Sequence, residues 1–173
     1  MSSPDDLKGS FRDAMANLSS AVCVITSSGV AGRLGFTATA VSSVTDDPPM
    51  LLVCMNQSSM QNKPLLRNGV LCVNVLSASQ QPLASVFAGS VNSLDERFAA
   101  AEWTPGETGS PLLECAVANV DCAIHEVINV GTHTVIFAEV MQVRMQGGHG
   151  LVYFNRSYHH VGTANSRLEA QIR

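Results

Sequence analysis

Residues 35–49 read GFTATAVSSVTDDPP, a stretch that predicts a strand of unusual composition over residues 35–45. Hydroxyls and small side chains fill most of it, and only Phe36, Val41 and Val44 carry apolar bulk. The adjacent prolines predict the end of the strand, because proline cannot donate to a ladder. Such a strand is either a sheet edge with a solvated hydroxyl face or a wall against a bound ligand, and its residues alone favour neither.

The composition of the whole chain predicts one domain over residues 1–173. It also predicts that some of the domain's apolar surface is buried against another molecule. Of its 173 residues, 46% are hydrophobic and only 14% are charged, against a usual charged share of about 25%. Such a balance favours an oligomer, which buries apolar surface between subunits. A membrane span is not predicted, because no apolar stretch reaches about 18 residues without polar breaks.

The net charge and the pattern of cysteines limit which binding partners and which cellular compartment are expected. The net charge is −4 and the eight arginines are scattered, so no basic face for nucleic acid is predicted. The five cysteines lie in apolar runs without any C-x-x-C, and the N-terminus shows no apolar signal segment. These features predict a cytoplasmic protein with reduced thiols. We expect Cys72 and Cys115 to be buried and inert.

The remaining pattern predicts many strands and few helices. Residues 117–130 and 132–145 are two long extended stretches about Gly131, with a bulge expected near His125 and Glu126. Six to eight strands with two or three helices favour a closed or nearly closed antiparallel barrel, and a mixed sheet is the alternative. The other predicted strands are 21–26, 50–55, 70–76 and 151–154, and the predicted helices are 7–18, a short one capped by Ser58 or Ser59 and ended by Asn68-Gly69, and 77–87 capped by Ser77 or Ser79.

Several enzyme classes lack their motifs in this chain. There is no G-x-G-x-x-G after a strand, no phosphate loop, no G-x-S-x-G and no H-E-x-x-H, so no metal site is predicted. The protein therefore either only binds a ligand or holds a cofactor that brings its own reactivity. One stretch suits an anion: NQSSMQN, residues 56–62, offers amides and hydroxyls between a strand and a helix start.

The order of short motifs carries a family resemblance over roughly residues 11–160. In sequence order they are FRDAM, AVCVIT, GFTATAVSSVTDDPP, CMNQSS, LCVNVL, FAG, ERF, GTHTVIFAEV and LVYFNRSYH. This order resembles the short-chain flavin reductases, which are NAD(P)H:flavin oxidoreductases of two-component flavin monooxygenases. The resemblance implies a mainly β fold, an FMN-binding split β-barrel (Greek key) with a few flanking helices, and a homodimer.

The same resemblance implies a function. Non-covalently bound FMN or FAD would take a hydride from NADH or NADPH, and the reduced flavin would pass to a partner oxygenase. The systems most similar are 4-hydroxyphenylacetate 3-hydroxylation and, as an alternative, pyrimidine utilisation. Two further alternatives stay open: a flavin-binding carrier that does not turn over nicotinamide, and a domain that only regulates an oxygenase.

The resemblance also assigns site residues by position. The flavin ring is implied to lie along Gly35, Phe36, Thr37, Ala38, Thr39 and Ala40, with the ribityl chain and phosphate near Asn56, Gln57, Ser58 and Ser59. Phe87, Ala88 and Gly89 match the loop beside flavin and nicotinamide, and Arg156 and Tyr158 match a C-terminal segment near the site. Arg156 alone is compatible with either a phosphate or a surface carboxylate.

His133 is the implied catalytic residue, beside the nicotinamide. It matches a glycine-x-histidine in which many relatives carry an aspartate where this chain has Thr132. The residues alone favour a histidine at a strand end that bonds to backbone.

Overall fold

The computed structural model describes residues 4–91 and 93–162, in which strands far outnumber helices. The α-helices are α1 (Pro4–Ala16), α2 (Asn62–Asn68), α3 (Gln81–Ser85) and α4 (Leu94–Ala99). The strands are β1 (Ser20–Ala21), β2 (Cys23–Ser27), β3 (Leu34–Ala38), β4 (Val41–Asp46), β5 (Pro49–Asn56), β6 (Val70–Val75), β7 (Trp103–Pro105), β8 (Pro111–Leu113), β9 (Ala118–Val130), β10 (His133–Met145), β11 (Gly150–Phe154) and β12 (Ser157–Val161).

One sheet of seven strands forms the body of the fold, in the order β3-β2-β6-β9-β10-β5-β4. Its edge strands, β3 and β4, are separated in the chain only by Thr39 and Ala40. A link of two residues spans at most about 11 Å, so the sheet must curl until its edges meet. Every pair in it is antiparallel. The predicted, nearly closed antiparallel barrel is therefore confirmed, and the mixed-sheet alternative is wrong.

The single strand predicted over residues 35–45 is instead divided between the two edges of the sheet. Cys23 on β2 pairs with Ala38, whereas Val41 pairs with Val53 on β5. The carbonyl of Ala40 accepts a hydrogen bond from the Cys54 N–H at 3.0 Å, which fixes the start of β4. The chain thus leaves one edge and joins the other within the stretch of small residues. We call the place where β3 and β4 diverge the seam.

The long hairpin of β9 and β10 is confirmed, together with its bulge. It turns at Gly131, whose φ of 55° lies in the left-handed region that glycine adopts without strain. Phe137 pairs with Glu126 but the next residue, Ala138, pairs with Ile124, so His125 is the extra residue. The bulge bends a long strand around the barrel.

Apolar side chains fill the barrel and a second layer outside it. Fully buried residues such as Ile25, Leu71 and Ile136 belong to the barrel core. The second cluster includes Phe87, Phe98 and Trp103, which meet edge to face with ring centroids 5.0–5.6 Å apart. Such aromatic contacts add to the stabilisation from burial. They fix the segment around Phe87 beside the seam.

The helices differ from prediction mainly at their starts. Helix α2 begins after Gln61 and not after Ser58 or Ser59, although it ends at Gly69 with a φ of 70° as expected. At seven residues it is too short for a strong dipole at its N-terminus, which weakens the predicted anion site there.

The helix predicted over residues 77–87 is a 3-10 turn (Ala78–Gln80), α3 and a π-helical turn (Val86–Ser90) in succession. Ser77 does precede it, and its N–H donates to Oε1 of Gln80 at 3.1 Å.

The C-terminal part contains one strand more than predicted. Strand β12 pairs with β11, and the turn between them holds Asn155 and Arg156 at φ values of 46° and 61°. No glycine marks that turn, so the sequence does not predict this hairpin. Within residues 4–91 and 93–162, no helix is long and apolar enough to cross a membrane.

Candidate functional site

A cleft of about 420 Å³ opens at the seam. Three of the predicted segments meet in it: residues 36–40, the end of β5, and the π-helical turn with Phe87. Its lining comprises Phe36, Thr37, Ala38, Thr39, Ala40, Cys54, Met55, Asn56, Ser59, Gln61, Phe87, Ala88, Gly89 and Arg97. The structure therefore brings together most of the predicted site residues, which lie far apart in the chain.

The wall made by residues 36–40 owes its shape to the break in the sheet. Thr39 and Ala40 belong to neither ladder, and no hydrogen bond described in the structure uses their N–H groups. Unpaired backbone donors beside small side chains allow a flat ligand to approach closely and to bond at its edge. Thr37 is different, because its hydroxyl donates to the Ala84 carbonyl at 2.7 Å and ties β3 to α3.

Gly35 does not line the cleft, and its lack of a side chain leaves room for the ring of Phe87. A Cβ atom at this position would lie 2.7 Å from Cε1 of Phe87. The residue is buried, and its N–H donates to Oε1 of Gln61 at 2.9 Å. The expectation that Gly35 lies along the ligand is therefore replaced by an indirect role: it lets Phe87 pack against β3, and Phe87 in turn forms part of the cleft wall.

The end of β5 presents Asn56 with a fixed amide. Its Oδ1 accepts hydrogen bonds from the N–H and the hydroxyl of Ser58, at 2.9 and 2.8 Å. These bonds leave Nδ2 as the atom available to donate to a ligand. Ser58 thus orients Asn56 and does not itself line the cleft, whereas Ser59 does.

Gln57 fastens the β9–β10 turn to the end of β5. Its Nε2 donates to the carbonyls of Gly131 and His133, at 3.2 and 2.9 Å. Its own N–H donates to the Thr132 carbonyl at 3.0 Å. Gln57 therefore holds the turn in place from outside the cleft.

His133 does not line the cleft, but it pairs with Asn56, which does, and we call this neighbouring strand end the rim. The side chain of His133 is exposed. Nδ1 of His133 lies 3.0 Å from the Thr132 hydroxyl. Thr132 therefore orients the imidazole. This places Nε2 as the ring nitrogen available to a ligand.

The two predicted C-terminal residues do not line the main cleft. Arg156 forms an ion pair with Asp13 of α1, with Nη2 and Oδ1 2.6 Å apart. Of the two partners that the sequence allows for Arg156, a phosphate or a surface carboxylate, the structure shows the carboxylate. Tyr158 packs on Tyr153 and lines a smaller cavity of about 180 Å³, which shares Thr37, Ala38, Thr39 and Ala88 with the main cleft.

Four lining residues were not assigned from the sequence: Cys54, Met55, Gln61 and Arg97. Cys54 and Met55 were predicted to belong to a buried strand, and nothing in an apolar run marks the residues at an opening. Gln61 and Arg97 did carry a signal, since they lie in NQSSMQN and in the ERF motif. Residue type alone does not place Arg97 in a cleft, because arginine is most often exposed.

The buried cysteines Cys23, Cys72 and Cys122 are not nucleophiles at neutral pH. Burial raises the pKa of Cys23 and Cys122 to about 12, and it raises that of Cys72 well above its ordinary value, with a further contribution from Asp121. These groups are protonated and unreactive at neutral pH. The prediction was wrong for Cys115, which is exposed and follows β8 with a φ of 60°. In residues 4–91 and 93–162, no three His, Cys, Asp or Glu side chains are grouped to hold a metal ion.

A family model described as "Flavin reductase like domain" matches residues 15–162 of the chain. The protein belongs to this family. The predicted family and the predicted oxidoreductase class are thereby confirmed. The chain is 50% identical over 160 residues to "FMN reductase (NADH) RutF" of Enterobacter cloacae, covering 92% of this chain and 96% of the relative.

Solved structures of flavin reductases share its fold. The NADH:FAD oxidoreductase SgcE6 of Streptomyces globisporus, in complex with NAD and FAD fragments, is 28% identical with a TM-score of 0.85, and the match covers 96% of this chain and 99% of that one. BorF, the flavin reductase component of a bacterial two-component tryptophan halogenase, is 27% identical with a TM-score of 0.82, covering 89% and 98%.

The packing of Phe87 on Gly35 gives a stability test in this flavin reductase. Gly35→Ala is expected to lower the free energy of unfolding by about 1–3 kcal/mol, because the added methyl must displace an aromatic ring in a packed cluster. Thermal unfolding followed by circular dichroism measures the effect. The near-ultraviolet signal of Trp103, which contacts Phe87, should change as well.

The matched control is Gly9→Ala in α1, where a Cβ meets nothing within 4 Å. Alanine in a helix is expected to stabilise it by about 0.5–1 kcal/mol relative to glycine. Equal melting temperatures for Gly35→Ala and the unmodified protein would contradict the assigned role of Gly35.

Proposed function

We propose that this protein is an NADH-dependent FMN reductase that holds the flavin in the seam cleft and releases it reduced. The observation that carries the proposal is the wall of residues 36–40: small side chains line an open cleft there, and no described hydrogen bond uses the N–H groups of Thr39 and Ala40. A volume of about 420 Å³ lies within the range of roughly 300–1,000 Å³ typical of cofactor sites. The flavin-reductase names of the relatives support the same assignment.

The side chains of the cleft fit a flavin by shape and by donors. Ala38 and Ala40 leave room for the ring, and the N–H groups of Thr39 and Ala40 would be available to bond its polar edge. Asn56, held by Ser58, presents Nδ2 as a further donor. Phe87 adds an apolar aromatic surface on one side of the cleft.

The protein supplies position and polarity, and no general base is required. When bound, the flavin supplies the hydride-accepting chemistry that no side chain of the cleft provides. Fixed N–H donors stabilise the negative charge that develops on the ring during reduction. His133 at the rim, oriented by Thr132, binds and orients the nicotinamide side of the complex.

The proposed recipient of the reduced flavin is an oxygenase. Of the two systems that the sequence resembles, we favour pyrimidine utilisation, because the half-identical relative is named RutF. A mixture of the reductase, an oxygenase encoded next to its gene, NADH and FMN should consume a pyrimidine base. Consumption of 4-hydroxyphenylacetate instead would assign the protein to the other system.

We also propose that the working form is a homodimer in the cytoplasm. Large apolar side chains are exposed on α1, at Leu7 and Phe11, and on the β9–β10 hairpin, at Val130 and Met145. A second copy of the chain is the partner that a low share of charged residues favours. Sedimentation velocity measures this directly, and a monomer at micromolar concentration would refute it.

The central test is NADH oxidation by the purified protein with and without free FMN. Activity is expected only with flavin present. Ala38→Leu should weaken FMN binding by about tenfold or more, because the larger side chain occupies the ring position at a cost of roughly 1–3 kcal/mol. Quenching of flavin fluorescence measures the affinity.

The matched control for this variant is Ala99→Leu, at an exposed position at the end of α4 that does not line the cleft. It should leave FMN affinity unchanged. Absence of flavin-dependent NADH oxidation in the folded protein would reject the reductase proposal, and tight flavin binding without oxidation would select the carrier alternative.

His133→Ala tests the nicotinamide side. We expect kcat/KM for NADH to fall about tenfold, which corresponds to the loss of one hydrogen bond, while FMN affinity changes little. The control is His149→Ala, an exposed histidine outside the cleft. A larger loss in FMN affinity than in kcat/KM for NADH would move His133 away from the nicotinamide.

A further inference from the structure

A second cavity, of about 430 Å³, shares no lining residue with the seam cleft, and we call it the α3 groove. Its apolar lining comes from Pro82, Leu83 and Val86 on α3 and the π-helical turn, and from Ala100 and Ala101 after α4. Apolar surface in contact with water is unfavourable, and a concave apolar patch of this kind favours a bound partner.

The α3 groove and the seam cleft are lined by neighbouring residues of one stretch of chain. Leu83 and Val86 line the groove, whereas Phe87 and Ala88 line the cleft. A molecule that fills the groove would therefore brace the segment that forms one wall of the cleft.

The described part of the chain ends beside this groove. His160 lies two residues before that end, and its Nε2 is 3.1 Å from Oε1 of Gln81. Both sequence neighbours of Gln81, Gln80 and Pro82, line the groove. The residues that follow β12 therefore start next to the α3 groove.

The sequence after this point is long enough to cross the groove. Eleven residues follow Gly162 (173 − 162), and they read TANSRLEAQIR. A chain of that length spans up to about 36 Å when it is extended. Its reach is thus no obstacle to binding in a groove that begins at Gln80.

The composition of residues 163–173 matches the apolar lining of the groove. Leu168 and Ile172 are four positions apart, a spacing that puts two side chains on the same face of a helix. Ser166 followed by Glu169 is the pattern that starts such a helix. The sequence therefore predicts a short turn with a pair of aliphatic side chains on one face.

The charges of the groove and of this segment are also complementary. The charged side chains that line the groove are both carboxylates, Glu102 and Glu114. Glu114 is paired with Arg144 at 3.1 Å, whereas none of the described ion pairs includes Glu102, which is exposed. Residues 163–173 carry two arginines, Arg167 and Arg173, against one glutamate.

We propose that residues 163–173 bind in the α3 groove of their own chain, with Leu168 and Ile172 on its apolar lining. The segment then acts as a strap that holds α3 and the π-helical turn in place behind the seam cleft. This inference does not depend on which cofactor the cleft holds, so its failure leaves the proposed function standing.

Cys115 provides the test, because it lines the groove and its thiol is exposed when the groove is open. In the full-length protein, the double variant Leu168→Ser, Ile172→Ser should raise the rate at which iodoacetamide alkylates Cys115 about tenfold. That factor corresponds to about 1.4 kcal/mol of binding free energy. Mass spectrometry of the digested protein assigns the label to Cys115.

Gln171→Ser is the matched control, since it introduces the same residue beside Ile172, and it should leave the rate unchanged. The buried Cys72 should stay unlabelled in every variant, which verifies that each one is folded. Equal rates for the double variant and the unmodified protein would overturn the inference. Protection of Cys115 that increases with protein concentration would also overturn it, because the segment would then bind in the groove of a second copy.

Discussion

The two-residue link at Thr39 and Ala40 is the constraint on which the rest of the structure depends. It joins the first edge of the main sheet to the last, so the sheet closes on itself everywhere except at that link. The N–H groups of Thr39 and Ala40 take part in no hydrogen bond described in the structure, so they are available to a group outside the protein. The same chain segment that completes the barrel also leaves the opening in it.

Packing around the seam is arranged in layers. Gly35 lets Phe87 approach β3, and Phe87 is held by Phe98 and Trp103. Behind them, Asn74 accepts from the Leu113 N–H and from Asn119, both at 2.8 Å, and donates to the Val24 carbonyl. This buried amide bonds to three segments at once and ties the outer layer to the barrel. The cleft thus rests on a rigid support.

The sequence predicted the barrel, the long hairpin and its bulge, because strand periodicity and glycine turns are local signals. It did not reveal that residues 35–45 belong to two edges, since pairing partners are not encoded in a strand's own composition. Composition marked the small residues of the wall but left open whether they meet a ligand, and it did not reveal that Gly35 packs against Phe87, 52 positions away (87 − 35). The sequence left the partner of Arg156 open for a similar reason, because Asp13 lies near the opposite end of the chain.

The hydrogen bonds from Gln57 to the β9–β10 turn affect the entropic cost of binding a ligand. By bonding to carbonyls on both sides of the β9–β10 turn, Gln57 joins the rim carrying His133 to the strand end carrying Asn56. A ligand entering the cleft then meets an ordered rim and loses little binding free energy to freezing it. Such a rim does not need to fold when a ligand binds or to unfold when the ligand dissociates. This suits a ligand that binds, reacts and dissociates in every catalytic cycle.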